Sequence, residues 1–258
     1  MGSASREALA AARSALTGEL GTSTGAELLA VAAQIDGSPA LLGALADSSA
    51  SADSKTQLIE RLFGAASADT RSVLTAAVVQ AWSTPDELVG GIEELGLRAE
   101  AAGNGALADE LLTAAAVIDS DHGLELALGS KLGDTQAKLR LANRLFEGKL
   151  SEGALVVVRH LIANPRGRRI SPALRESARV VADQGGTELA TVTAASPLSE
   201  TQQQRISRLL EQNAGRPVRV TTVVDPSLVG GVRIQVGNEV IDGSVRARLD
   251  DLRLQLAG

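Results

Sequence analysis

His122 and His160 are the only histidines, and they stand 38 residues apart. A metal centre needs several ligands that converge, and a nucleophilic triad needs a base beside a nucleophile. Neither has support in the spacing, and with no cysteine there is no thiolate ligand or disulfide framework either. His160, inside the apolar run Leu155 to Ile162, reads as a helix-surface or partly buried residue rather than a catalytic one. Glu93-Glu94 and Asp250-Asp251 are paired carboxylates, but neighbours on a helix diverge, so both pairs read as solvated faces. Arg166, Arg168 and Arg169 could hold a phosphate or a partner's carboxylate. Their loop lacks a phosphate-cradling glycine pattern, which favours a simpler role closing a helix C-terminus, worth about 0.3–1 kcal/mol. Gly230-Gly231 has no Lys-Ser/Thr and no helix behind it, so it reads as a bulge or tight turn and not a nucleotide loop. No cofactor is expected.

The elements that carry these residues are mostly helical. The chain is rich in Ala, Leu and Val and nearly free of aromatics, with Phe63, Phe146 and Trp82 and no Tyr. That balance favours close-packed helices. Ser5 is the expected cap of a first helix with Leu9, Ala12, Leu16 and Leu20 on one face, and Ser54-x-x-Gln57 reads as a capping box before Leu58. Further helices are predicted over Thr70 to Trp82, Pro85 to Ala101, Leu107 to Ile118, Asp134 to Phe146, Ser151 to Ala163 and Pro172 to Asp183. Trp82 is most simply a core anchor at the end of its helix.

Length and charge narrow the function classes. The 258 residues allow one large or two modest domains. The net charge is −6, with 23 acidic against 17 basic residues before Gly186 and eight of each after it. A nucleic-acid protein would need a net basic surface, so that class is excluded. The first 25 residues have no signal-type apolar core, and no run approaches the roughly 18 apolar residues of a spanning helix. A soluble protein without direct membrane insertion is the expectation.

An internal repeat appears at an offset of 83. Glu27-Leu28-Leu29 recurs as Glu110-Leu111-Leu112, Ile35-Asp36 as Ile118-Asp119, Lys55 as Lys138, and Arg61-Leu62-Phe63 as Arg144-Leu145-Phe146. The phase then slips by one, so that Ser67 falls on Ser151. The repeated stretches, about 26–64 and 109–148, read as a duplicated set of helices. Gln184-Gly185-Gly186 marks the expected boundary between a helical region, 1–185, and a small α+β domain, 186–258. The fold class is therefore mainly α with an α+β C-terminal domain.

That domain orders as a strand over Glu188 to Ala194, a helix opened by the capping box Ser199-x-x-Gln202, a strand over Val218 to Val224, a hairpin and a last helix. Asp225-Pro226 supplies a turn, and Val232, Ile234 and Val236 alternate with polar residues. Gly237-Asn238 fits a two-residue hairpin loop before Val240-Ile241. Val245, Leu249, Leu252 and Leu256 make one stripe on the terminal helix.

The run Asp225-Pro226-x-Leu228-x-Gly230-Gly231, an alternating strand, then Ile241-Asp242-Gly243-Ser244 and a Leu-rich helix resembles the C-terminal signature of the δ subunit of F-type ATP synthases, known in mitochondria as the oligomycin-sensitivity-conferring protein. The resemblance covers Gly186 to Gly258 well and the rest loosely, and the extra helical length looks like the enlarged δ regions of actinobacterial synthases. The family's N-terminal Tyr-Ala-x-Ala is missing, since the chain has no Tyr. What the resemblance implies is a non-catalytic stator subunit, peripheral on the cytoplasmic face of the bacterial membrane. Its helical part would grip the N-terminal segment of an α subunit of the catalytic head, and its C-terminal domain would hold b-type peripheral-stalk subunits.

For the head contact, amphipathicity selects Arg6, Leu9, Ala12, Arg13 and Leu16, with Leu155, Val158 and Ile162 on a helix whose face is apolar nearly all round. For the stalk contact it selects Leu228, Val232, Ile234 and Val240 on the sheet with Leu252 and Leu256. The competing reading is a helical adaptor unrelated to ATP synthase. An enzyme is a third class, against which the missing constellations count.

Overall fold

The computed structural model describes residues 1–130, 133–236 and 239–243. The chain divides into two compact units, Met1–Val181 and Ala182–Gly258. The first is built from α1 (Ser3–Arg13), a 3-10 turn at Ser14–Leu16, α2 (Thr24–Asp36), α3 (Pro39–Ala46), α4 (Ala52–Leu62), α5 (Ala68–Val78), α6 (Pro85–Ala102), α7 (Leu107–Asp119), α8 (His122–Gly129), α9 (Thr135–Phe146), α10 (Glu152–Ala163) and most of α11 (Ile170–Gln184).

The repeat is visible in this order. Helices α2 to α5 return as α7 to α10, and each set carries the same polar device. The Glu27 carboxylate on α2 accepts from the Ser67 amide at 2.8 Å and the Thr70 hydroxyl at 2.7 Å, and so caps the start of α5. Glu110 on α7 accepts from the Ser151 amide at 2.9 Å and its hydroxyl at 2.6 Å, and caps α10. Burial by itself would raise both carboxylates, but these hydrogen bonds outweigh it and hold Glu27 at about 2 and Glu110 below its ordinary value. Helix α6 follows the first set as α11 follows the second, and precedes the second as α1 precedes the first. It closes one copy and opens the next. Its sequence suits that double duty, since Leu88, Val89, Ile92, Leu95, Leu97 and Ala99 are buried on different sides of the helix.

Several local expectations change. Ser5 does not cap α1, which starts two residues earlier after Gly2; Ser5 is buried, donates to Glu87 at 2.6 Å and accepts from the Ser83 amide. The cap of α4 is Ser51, one turn before the expected box, and its hydroxyl accepts from the Ser54 amide. Helix α5 stops at Val78, not Trp82, because the Trp82 indole N–H takes the Ala77 carbonyl at 2.8 Å and turns the chain. The indole then lies on α6 over Gly91, where any Cβ would sit 2.0 Å from the ring. Trp82 packs against the core of the first copy, around Leu28, Ile35, Leu74 and Ile92. Gly96 on α6 faces Gly25 and Leu29 on α2, and the missing Cβ lets the two helices approach closely.

The second unit is a four-stranded sheet ordered β2-β1-β3-β4, from β1 (Glu188–Ala194), β2 (Val218–Val224), β3 (Val232–Val236) and β4 (Glu239–Asp242), with α12 (Glu200–Ala214) between β1 and β2. The predicted capping box of α12 is present, and Gly215 ends the helix in the left-handed region. β1 and β2 are parallel, whereas β1–β3 and β3–β4 are antiparallel. Ile206 and Leu210 of α12 cover a face made by Ala190, Val218, Val220, Ile234 and Val236. The last turn of α11 belongs to this unit: Ala182 accepts from the Thr187 amide and Asp183 from Arg216. The hairpin loop Gly237-Asn238, Ser244 and the stripe Val245, Leu249, Leu252 and Leu256 lie outside the described residues.

Candidate functional site

The most concentrated chemistry in the first unit gathers on α6 around Glu93. Its neighbour Glu94 pairs with Arg98 one turn on, at 2.7 Å. Glu93 points the other way and is 4 % exposed, which corrects the solvated-face reading of the pair. Its partners are 67 to 75 residues away. His160 Nε2 on α10 lies 3.2 Å from Oε1, Arg168 donates to Oε1 at 2.6 Å, and Arg166 donates to Oε2 at 3.3 Å. Burial raises the Glu93 pKa, but the hydrogen bonds from His160 and Arg168 and the Arg168 charge overcome it and hold the group at about 2. His160 is correspondingly buried, at 9 % exposure, and not on a helix surface.

The loop between α10 and α11 is shaped for these contacts. Arg166 takes a left-handed conformation, φ +47°, and Gly167 follows at +77°. From there Arg166 also donates to the Asp86 carbonyl at 2.8 Å and stands 3.5 Å from Asp36 at the end of α2. Arg169 turns instead to Glu125 on α8, at 3.7 Å. The Glu125 carboxylate accepts the Ile170 and Ser171 amides, at 2.8 and 3.0 Å, and caps α11. The three arginines therefore hold carboxylates of their own chain, in place of the helix C-terminal role expected of them. Only the sign of their charge was readable from sequence, because every partner is remote.

Chemically the centre is an ion-pair knot. A carboxylate held at about 2 with both oxygens occupied is no proton acceptor near neutral pH. Among the described residues no group of three or more His, Asp and Glu is placed to hold a metal ion. No single helix among them is long and apolar enough to cross a membrane; the pair α2 and α3 passes only together, bent by 105°, with most of α2 in the core.

The residues selected for the head contact are largely consumed by packing. Leu9 and Ala12 are in the core of the first copy and Leu16 packs against it, leaving Arg6 and Arg13 at the surface. Leu155, Val158 and Ile162 are at most 4 % exposed. Helix α10 is apolar nearly all round because it lies against α7 and α9 on one side and α2 of the first copy on another. The excess that suggested a partner surface is covered within the chain. The stalk set is split: Ile234 packs on the face covered by α12, Val232 lies two residues before it on the same side of β3, and Val240 pairs with Gln235 on the opposite face and is 56 % exposed. Leu228 lies half-buried in the turn, and Leu252 and Leu256 are outside the described residues. In the signature, Asp225 accepts from the Ser227 amide at 2.9 Å in an Asx turn with Pro226 between them. Gly230 and Gly231 take φ of +144° and +79°, the positive values the turn reading requires. Gly243 donates its amide to Val232, and Ile241 and Asp242 lie in β4.

The first unit is thus a helical body with apolar cores and a buried ion-pair centre, and the second a small α+β unit. The family model of the ATP synthase delta (OSCP) subunit matches residues 98–256, which takes in the end of α6, the second copy of the repeat and the C-terminal unit. The ATP synthase subunit delta of Leifsonia xyli subsp. xyli is 43 % identical, with all of both chains covered. That of Nocardia farcinica is 38 % identical over 99 % of this chain and 97 % of that protein, and that of Streptomyces coelicolor 37 % over 100 % and 98 %. The chain belongs to the ATP synthase delta (OSCP) subunit family, in the enlarged form that these relatives share along their whole length. One chain in the solved Toxoplasma gondii mitochondrial ATP synthase hexamer is similar at 24 % identity and a TM-score of 0.40, covering 63 % of this chain and 97 % of that one, too loosely to carry an argument.

Proposed function

We propose that this chain is the non-catalytic stator link of an F-type ATP synthase, peripheral on the cytoplasmic face of the membrane. The observation that carries the reading is the full-length match to ATP synthase delta subunits. It sets aside the adaptor unrelated to ATP synthase. The rotor's torque would spin the catalytic head unless the head is tied to the stator, so a linking subunit must bind at both ends.

The helical unit takes the N-terminal segment of an α subunit of the head, and the α+β unit takes the b-type stalk helices. Supporting the second assignment, five of the eight large apolar side chains exposed among the described residues, Leu209, Val224, Val229, Val240 and Ile241, lie in the smaller unit. An exposed apolar side chain on the sheet face away from α12, such as Val240, suits the apolar face of an amphipathic helix. Co-purification tests the reading: a tagged chain isolated from membranes should bring both α and b-type subunits, and its removal should abolish proton-driven synthesis while hydrolysis by the head continues. A chain that brings neither partner would overturn it.

A further inference from the structure

We infer that the Glu93 centre is a lock against sliding between the two copies of the repeat. Two approaches set α10 of the second copy against α6: Glu93 meets His160 and, seven residues along, the Glu100 carboxylate lies against Gly153. The other joint between the copies is α10 against α2, and the buried faces of both helices are almost wholly apolar. Apolar contact is non-directional, so against a slide it offers only the interdigitation of side chains, which can re-form one turn further along. Charge-assisted hydrogen bonds have fixed geometry and do not survive a shift.

Arg166 makes the lock span the joint. It leaves the loop of the second copy in a backbone conformation unfavourable for a residue with a Cβ, and from there reaches the end of α2 at Asp36 and the start of α6 at the Asp86 carbonyl, besides Glu93. A displacement of α10 along α6 by one turn would break all of these contacts and the Arg168 contact together. Each copy keeps its own cap, at Glu27 and at Glu110, so the lock is not needed to form either copy's helices. Its role in carrying torque rests on the stator reading; its existence does not.

The absence of cysteine makes the test clean. Spin labels on Gln57→Cys in α4 and Gln136→Cys in α9, both exposed, report the separation of the copies in the full chain by pulsed dipolar spectroscopy. The parent should give one narrow distance distribution, and Glu93→Gln should broaden or split it with helical content unchanged. Arg168→Ala, at a side chain 38 % exposed, should do the same to a lesser degree and serves if Glu93→Gln does not fold. Narrow, unshifted distributions in folded variants would overturn the lock. In reconstituted synthase a loosened variant should lose synthesis but keep hydrolysis; broadened distances with synthesis intact would leave the lock standing and remove its torque role.

Discussion

In the first copy the start of the sixth helix is capped locally: Thr84 Oγ1 accepts from the Glu87 amide at 3.3 Å and Pro85 needs no partner. In the second copy the same position, the start of α11, is capped by a remote carboxylate, Glu125 from α8. The start of the fifth helix, by contrast, is capped in both copies by a glutamate of the second helix, Glu27 and Glu110. Where the copies do the same job they keep the same device: Glu27 recurs at the offset of 83 as Glu110, and Ser67, past the slip of one, as Ser151. Where the second copy must also meet the first, side chains replace local turns: His160, Arg166 and Arg168 converge on Glu93. The difference teaches that the joint of a duplicated bundle adds polar contacts that the repeat did not carry to the apolar contact of α10 with α2.

The sharpest way to break this comparison is at the cores. Phe63 and Phe146 are repeat equivalents, 6 % and 2 % exposed. Replacing either with Ala should cost about 3–5 kcal/mol through lost transfer energy and the cavity left behind. If the copies form one cooperative body, calorimetry on each variant should show the first unit melting in a single transition shifted by similar amounts. Two transitions, only one of which moves in each variant, would show that the copies unfold separately.

Much of this architecture was legible in the sequence, and the failures share a cause. The helices from Pro85 onward other than α8, and the chain order of strand, helix, strand and hairpin in the small unit, follow from caps, periodicity and turn residues, which are local signals; α8 and the sheet order β2-β1-β3-β4 do not. A solvated reading of Glu93 follows from its adjacent acid and its helical setting, which are local, whereas its partners, two arginines and a histidine, arrive from 67 to 75 residues away. Leu155, Val158 and Ile162 were correctly apolar in excess of one core stripe, but periodicity cannot tell a partner protein from another part of the same chain. Ser5 has the right type and place for a cap and was claimed by Glu87 on a distant helix.

The smaller unit offers the next test, at a site with no counterpart in the repeats. Gly231, at φ +79°, admits a β-branched residue only with strain. Gly231→Val should destabilise the smaller unit by about 1–3 kcal/mol and weaken stalk binding, measured by denaturation and by pull-down with b-type subunits. An unchanged melting temperature and affinity would remove the turn from the account of that domain.

The paired caps should respond alike. Glu27→Ala and Glu110→Ala each expose the same helix start, and each should cost roughly 1–2 kcal/mol, since partial exposure screens part of the interaction. The pH dependence follows from the sign of the shift. Glu27 is held at about 2 against an ordinary 4.5, so its contribution is full above about 4.5 and is lost as pH falls towards 2. Glu27→Ala should therefore flatten the acid limb of the stability curve. A large loss from one variant and none from the other would mean that the copies have not kept the cap for the same purpose.

Glu100 supplies the smallest effect and the opposite sign. Its carboxylate is wedged between Gly25 at the start of α2 and Gly153 at the start of α10, where a Cβ on either glycine would collide with it. Burial raises its pKa, and the backbone hydrogen bond from Ala26 lowers it without compensating. Glu93, seven residues before it on α6, has two guanidinium groups and a histidine; among the described residues no cation is paired with Glu100. A carboxyl whose folded pKa is raised binds its proton more tightly in the folded than in the unfolded chain, so it favours folding at acid pH and opposes it as pH rises through the shifted value. Glu100→Gln keeps an oxygen to accept from Ala26 and removes the charge. The variant should be more stable than the parent at neutral pH by roughly 0.5–1 kcal/mol, allowing for screening of a partly exposed group, and the gain should vanish in acid. Chemical denaturation of both proteins at neutral and acid pH measures it. A variant less stable at neutral pH would mean that the ionised carboxylate is held by the amides at the two helix starts, and that Glu93 and Glu100 both work by attraction.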